Sequence, residues 1–160
     1  MNYEMKQIGV LRTPYKNNAP YQPVNNDEGD FRIVVNKEYT EGLFELETFT
    51  YIFVVYYLHR TNELSSMLVY PPWVDGRQVG VFASRSPVRP NNIGISVVRV
   101  KGIENNEIFI TGLDAFDGTP LLDIKPYIDE LDAKRDANYG WVEGLEDREH
   151  LILHIKGIPH

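Results

Sequence analysis

The run "YIFVVYYL" (51–58) constrains this chain more than any other stretch. Every residue is apolar, and all but the closing leucine are β-branched or aromatic. Such side chains lose rotamer freedom in a helix and pack well on a pleated surface. The run is about half as long as a membrane-spanning helix, and no polar residue alternates through it to mark a wet face. It therefore predicts a strand over 50–60 that is buried on both faces. A chain of 160 residues around such a strand fits one compact domain, 1–160.

Turn signals close together cut the rest into short elements. "MKQIGVLRTPY" (5–15) reads as a strand ending at Thr13-Pro14, and "FRIVV" (31–35) as a second. Between them, residues 16–30 hold two prolines, four asparagines and a glycine, a long loop of the kind that carries function. "EYTEGLFELETF" (38–49) has the pattern of a short helix, interrupted or ended at Gly42. "SMLVY" (66–70) is a strand stopped by Pro71-Pro72. "ISVVRVKGI" (95–103) and "IFITGLDA" (108–115) form a pair whose Asn105-Asn106 suits a hairpin turn, because asparagine tolerates positive φ. "LLDIKPYI" (121–128) is a strand closed by Pro126. Residues 129–149 are highly charged and irregular with little helix, and "HLILHIKGI" (150–158) is a last strand. Short strands, frequent turns and little helix predict a mainly β fold, a barrel or a sandwich. No G-x-G-x-x-G loop joins a strand to a helix, which argues against a Rossmann nucleotide site.

Composition narrows the chemistry. There is no cysteine, so disulfides and thiolate metal sites are excluded. "MNYEMKQIGVLRTPYK" has neither the apolar core nor the cleavage site of a signal peptide, so the expected compartment is the cytoplasm, with no membrane segment. A net charge of −7 argues against a protein that coats nucleic acid at large, though a local basic face remains compatible with it. His150 and His154 lack the carboxylate motif of a zinc site, and no metal is expected.

Four stretches hold candidate site residues. In "ASRSPVRPNNIGIS" (83–96), Pro87 and Pro90 stiffen a loop that holds Arg85 and Arg89. These are either solvated charges or a fork poised for a carboxylate or phosphate. In "LDAFDGTPLLDIKPY" (113–127), Asp114, Asp117 and Asp123 lie near turns or strand ends, and Lys125 and Tyr127 flank the bend at Pro126. Asp117-Gly118 is a turn signal in itself, and its exposed amides and carbonyls are the alternative reader of a polar ligand. His59 and Arg60 end the most apolar run. Tyr21 and Gln22, between Pro20 and Pro23, offer an aromatic face and an amide on an extended loop.

Taken together, "IGVLRTPYK", "APYQP", "GVFASRSPVRPNNIGIS" and "LDAFDGTPLLDIKPY" resemble the TsaA/TrmO family over about residues 6–128. Members are S-adenosylmethionine-dependent methyltransferases that methylate N6 of threonylcarbamoyladenosine beside the tRNA anticodon. The resemblance implies a small antiparallel β-barrel outside the Rossmann class, acting as a homodimer with the site near the subunit boundary. It also implies cofactor contacts from Tyr21, Gln22, Pro23, His59, Arg60, Arg85 and Ile95, and from Asp114, Asp117, Gly118 and Thr119 in the 114–119 turn. On that reading Asp114 or Asp123 accepts the proton, and Arg85 or Arg89 holds the threonyl carboxylate or an anticodon-loop phosphate. Arg89 could instead brace its loop, and Lys125 and Tyr127, projecting from the bend, are further candidate catalytic residues. Two positions depart from the common pattern: Tyr21 replaces an arginine, and Asn92 replaces a proline. A small-molecule or protein substrate, or nucleoside binding without chemistry, are the alternatives.

Overall fold

The structure is a computed structural model that describes residues 1–20, 23, 29–71, 74, 76–146, 149, 152 and 153. Six strands close into an antiparallel barrel: β1 (Gly9–Arg12), β2 (Arg32–Val35), β3 (Tyr51–Tyr57), β6 (Ile93–Glu104), β7 (Glu107–Ile110) and β8 (Pro120–Pro126). Around the barrel they run β1-β2-β7-β6-β3-β8, with β8 returning to β1. A separate ladder pairs β4 (Leu68–Val69) with β5 (Val79–Gly80). The expected barrel is therefore present.

Strand β3 alternates, which corrects the expectation of burial on both faces. Ile52, Val54 and Tyr56 point into the barrel, whereas Tyr51 and Tyr57 are exposed and Phe53 and Val55 are only half-buried. A barrel has one inside and one outside, so a closed strand keeps the period of two even where the sequence shows no polar alternation. Leu11, Ile33, Val35, Ile52, Val54, Val98, Ile108, Ile110 and Leu121 fill the interior. Each such side chain contributes about 1.5–3 kcal/mol on leaving water, so the interior is a packed core and not a channel.

Two irregularities re-aim side chains. Val55 pairs with Asp123 but Tyr56 pairs with Leu121, so Leu122 is an extra residue at a bulge in β8. A second bulge shifts the β6–β7 register between Val100 and Gly102. The β6–β7 turn falls on Asn105-Asn106 as expected, with Asn105 at φ 53°.

Residues 38–49 form two 3-10 helices, Lys37–Leu43 and Leu46–Thr48, and not one α-helix. The break falls at Phe44-Glu45, with Glu45 at φ 70°, and Gly42 lies inside the first helix. Beyond the barrel, a short α-helix (Asp129–Asp132) and a 3-10 turn (Gly140–Gly144) match the little helix expected there. In 150–158 only Ile152 and Leu153 are described, and both are helical, against the strand expected. Two apolar residues in succession carry no period, so this short run does not distinguish the two states.

Candidate functional site

One end of the barrel gathers the polar chemistry. The 113–119 segment between β7 and β8 is clamped to the first strand by a buried threonine. Thr13 Oγ1 donates to the Ala115 carbonyl at 2.8 Å, and the Thr13 N–H donates to Asp117 Oδ1 at 3.1 Å. Asp117 also faces Arg12 at 3.5 Å. Gly118 supplies the turn with φ 80°, a conformation that costs a side-chain-bearing residue. The backbone N–H groups of Asp117, Gly118 and Thr119 donate to the carbonyls of Tyr15, Leu11 and Phe116. These amides hold the turn in place.

What the clamp presents is Asp114. Its Oδ1 accepts from the Tyr56 hydroxyl at 3.3 Å, and that hydroxyl lies 2.9 Å from Ser96 Oγ. Burial pushes the Asp114 carboxyl above its usual range, against its own backbone hydrogen bond, the Tyr56 hydroxyl and the Arg85 charge, which all favour the anion. Burial and then the Asp114 charge push both Tyr56 and Tyr15 upward, so both phenols are neutral. Arg60 stacks over the Phe116 ring at 4.0 Å and donates to the Lys16 carbonyl at 2.7 Å, which ties the end of β3 to the same segment.

The loop 83–96 is braced from within. Arg89 Nη1 donates to the carbonyls of Ser84 at 3.1 Å and Ser86 at 3.0 Å. Asn92, at a position departing from the family pattern, donates its amide to the Pro87 carbonyl at 2.7 Å. Of the two alternatives open for Arg89, the hydrogen bonds describe the brace. Arg85 is left exposed, with its charge acting on Asp114 and Tyr56.

The expected site residues therefore divide. Arg60, Arg85 and Asp114 come together at the barrel mouth, with Asp117, Gly118 and Thr119 as their scaffold. His59 is exposed beside Arg60, and Pro23 is half-buried. Ile95 pairs with Val55 on the outside of the barrel, opposite in facing to Tyr56. Asp123 and Lys125 are also outside: they pair with each other at 3.0 Å, and Asp123 Oδ1 accepts its neighbour's N–H. Tyr127 packs on Tyr51 and Phe53 of the same outer face. Tyr21, Gln22, His150 and His154 lie outside the described residues. Sequence reasoning missed Tyr56 and Ser96. The available signal was the glycine in "NNIGIS", which the strand pairing sets directly across from Tyr56.

A closed antiparallel barrel with a carboxylate, two phenols and two guanidinium groups at one end defines a small β-barrel ligand-binding domain outside the Rossmann class. The sequence model for the tRNA-methyltransferase O N-terminal domain matches residues 10–133, and the chain belongs to this family. A "Probable S-adenosyl-L-methionine-binding protein" of Archaeoglobus fulgidus is 43% identical over 153 residues, covering 94% of this chain and 41% of that protein. The "tRNA (adenine(37)-N6)-methyltransferase" of Escherichia coli is 34% identical over 161 residues, covering 94% of this chain and 68% of the relative. The crystal structure of TrmO from Pseudomonas aeruginosa superposes with a TM-score of 0.72 at 31% identity, over 88% of this chain and 63% of that one. The chain thus spans less than half of the Archaeoglobus relative and under two thirds of the solved one.

Proposed function

We propose that this chain is an S-adenosylmethionine-dependent methyltransferase acting on N6 of threonylcarbamoyladenosine beside the tRNA anticodon. The observation that carries the reading is the partly buried Asp114, held by Tyr56 and faced by Arg85 at the barrel mouth. The named relatives support the cofactor and the substrate class. The donor set fits the cofactor: a carboxylate can face a cation, a guanidinium a carboxylate, and the Phe116 ring a purine. When bound, the cofactor supplies a methyl group on a positively charged sulfur.

The chain's own share is alignment and proton transfer. The attacking nitrogen sits between a purine and a carbamoyl group, which eases loss of its proton, so a carboxylate suffices as acceptor. Asp114 takes that proton as the new N–C bond forms. In doing so it would pass from carboxylate to neutral acid, the form that its partial burial favours. Arg85, exposed and not spent on the loop, would hold the carboxylate of the cofactor. Arg60 and Arg85 supply positive charge at the mouth that the net charge of −7 does not reveal.

We further propose a homodimer formed through the outer face of β3 and β6. Tyr57, Ile93, Ile95 and Val97 lie side by side there, 39–60% exposed. Contiguous apolar surface of this kind is the usual mark of an interface.

Mass spectrometry of tRNA nucleosides, with and without the protein and cofactor, tests the activity. The methylated nucleoside is expected with the native chain and lost at least a hundredfold with Asp114→Asn. Cofactor binding by calorimetry without any methylated nucleoside overturns the tRNA substrate.

A further inference from the structure

We propose that Tyr56 and Ser96 form a two-hydroxyl wire that controls the protonation of Asp114, and that Gly94 is the residue that makes room for it. The inference rests on Asp114 being the proton acceptor of the preceding section only for its kinetic consequence. Its structural content stands by itself.

Three observations carry it. Tyr56 is 4% exposed and points inward, and its hydroxyl meets Ser96 at 2.9 Å and Asp114 at 3.3 Å. Gly94 is the cross-strand partner of Tyr56, and a Cβ there would run into the ring, reaching 2.7 Å from Cζ. The ring therefore lies flat across bare backbone, which carries its hydroxyl along β6 towards Ser96. The bulge at Leu122 pairs Tyr56 with the inward-facing Leu121, which keeps the phenol on the inner face.

The wire has two polarities. An ionised Asp114 has only acceptors, so the phenol must donate to it and accept from the Ser96 hydroxyl. Once Asp114 has taken a proton, its O–H can donate to the phenol oxygen, and the phenol turns its own proton to Ser96. Either way the buried phenol keeps two partners, so proton uptake strands no polar group in the interior. Among the described residues, the groups facing Asp114 are Tyr15, Tyr56 and Arg85. Tyr56 is the one among them whose own hydrogen bond can reverse with the carboxyl's state. It is a positioning residue, acting through Asp114.

The test needs no substrate. Carbon-13 NMR of the protein labelled at aspartate carboxyls follows Asp114, identified by the resonance lost in Asp114→Asn. Tyr56→Phe keeps the ring and removes the hydroxyl, and the Asp114 midpoint is expected to rise by about one pH unit, the size of a hydrogen bond to a charged group. Ser96→Ala is expected to move it the same way by less, since the phenol loses the donor that orients it. A midpoint unmoved in both variants overturns the wire. The acid limb of kcat/KM for the cofactor should shift with the midpoint in Tyr56→Phe while cofactor affinity holds. Full turnover by Asp114→Asn overturns the base assignment instead, and leaves the NMR result to decide the wire.

Discussion

Asp114 concentrates the conflict between folding and function. Its carboxyl is raised chiefly by burial, so the folded chain holds that proton more tightly than the unfolded chain. The stabilisation this gives is complete below the unfolded value and is lost as pH rises through the folded one. At neutral pH the ionised group is therefore a net cost, and Asp114→Asn should raise Tm at pH 7. The gain should shrink as pH falls through the carboxylate range. Thermal melts of both proteins from pH 3 to pH 8 measure it, and an equal Tm at pH 7 contradicts it. Arg85→Ala should weaken cofactor binding roughly tenfold to a hundredfold in calorimetry, the scale of a lost charge-assisted hydrogen bond. Arg85 and Asp114 were legible in the sequence because each lies in a loop marked by turn residues, Pro87 and Pro90 for the one and Asp117-Gly118 for the other. Tyr56 was not: in a run with no polar residue, only pairing and a distant bulge decide which aromatic turns inward.

At the scale of elements, the loop 83–96 is rigid for more reasons than its prolines. Arg89 and Asn92 reach back to three carbonyls of the same loop, at Ser84, Ser86 and Pro87. Arg89→Ala should leave two of those carbonyls without their donor, cost about 1 kcal/mol of stability, and raise the cofactor Kd several-fold through a loosened Arg85. Unchanged cofactor affinity with turnover abolished would instead place Arg89 on the substrate. The strand boundaries followed from turn chemistry, at Asn105-Asn106 and Pro126, because those residues act locally. The 37–48 segment did not: α and 3-10 turns share their residue preferences, and the left-handed Glu45 that breaks the segment is a residue with no turn signature. In sequence Asp123 is as good a proton acceptor as Asp114, and Lys125 is a further catalytic candidate. Register puts Asp123 and Lys125 outside, where they pair with each other.

For the whole molecule, closure of the barrel leaves faces and not edges for association. The outer surface of β3 and β6 carries Tyr57, Ile93, Ile95 and Val97, all of them exposed. Val97→Glu should turn a dimer into a monomer by light scattering at micromolar concentration, with the barrel's circular dichroism retained. A native chain that is already monomeric at such concentrations refutes the dimer.

The seam of the barrel has a consequence of its own. β8 meets β1 over only two register pairs, Gly9 with Leu121 and Val10 with Pro120, extended by bonds from the Ile8 and Leu11 N–H groups. A cylinder joined so briefly along one line opens there first, and its amides report the opening by exchanging with heavy water ahead of those of Ile52 and Val54. The clamp from Thr13 crosses this same line to reach Ala115 and Asp117. Any ligand that grips Asp114 and its neighbours therefore works as a latch on the seam, and slowed exchange at Ile8 and Leu11 would reveal occupancy from the far side of the turn.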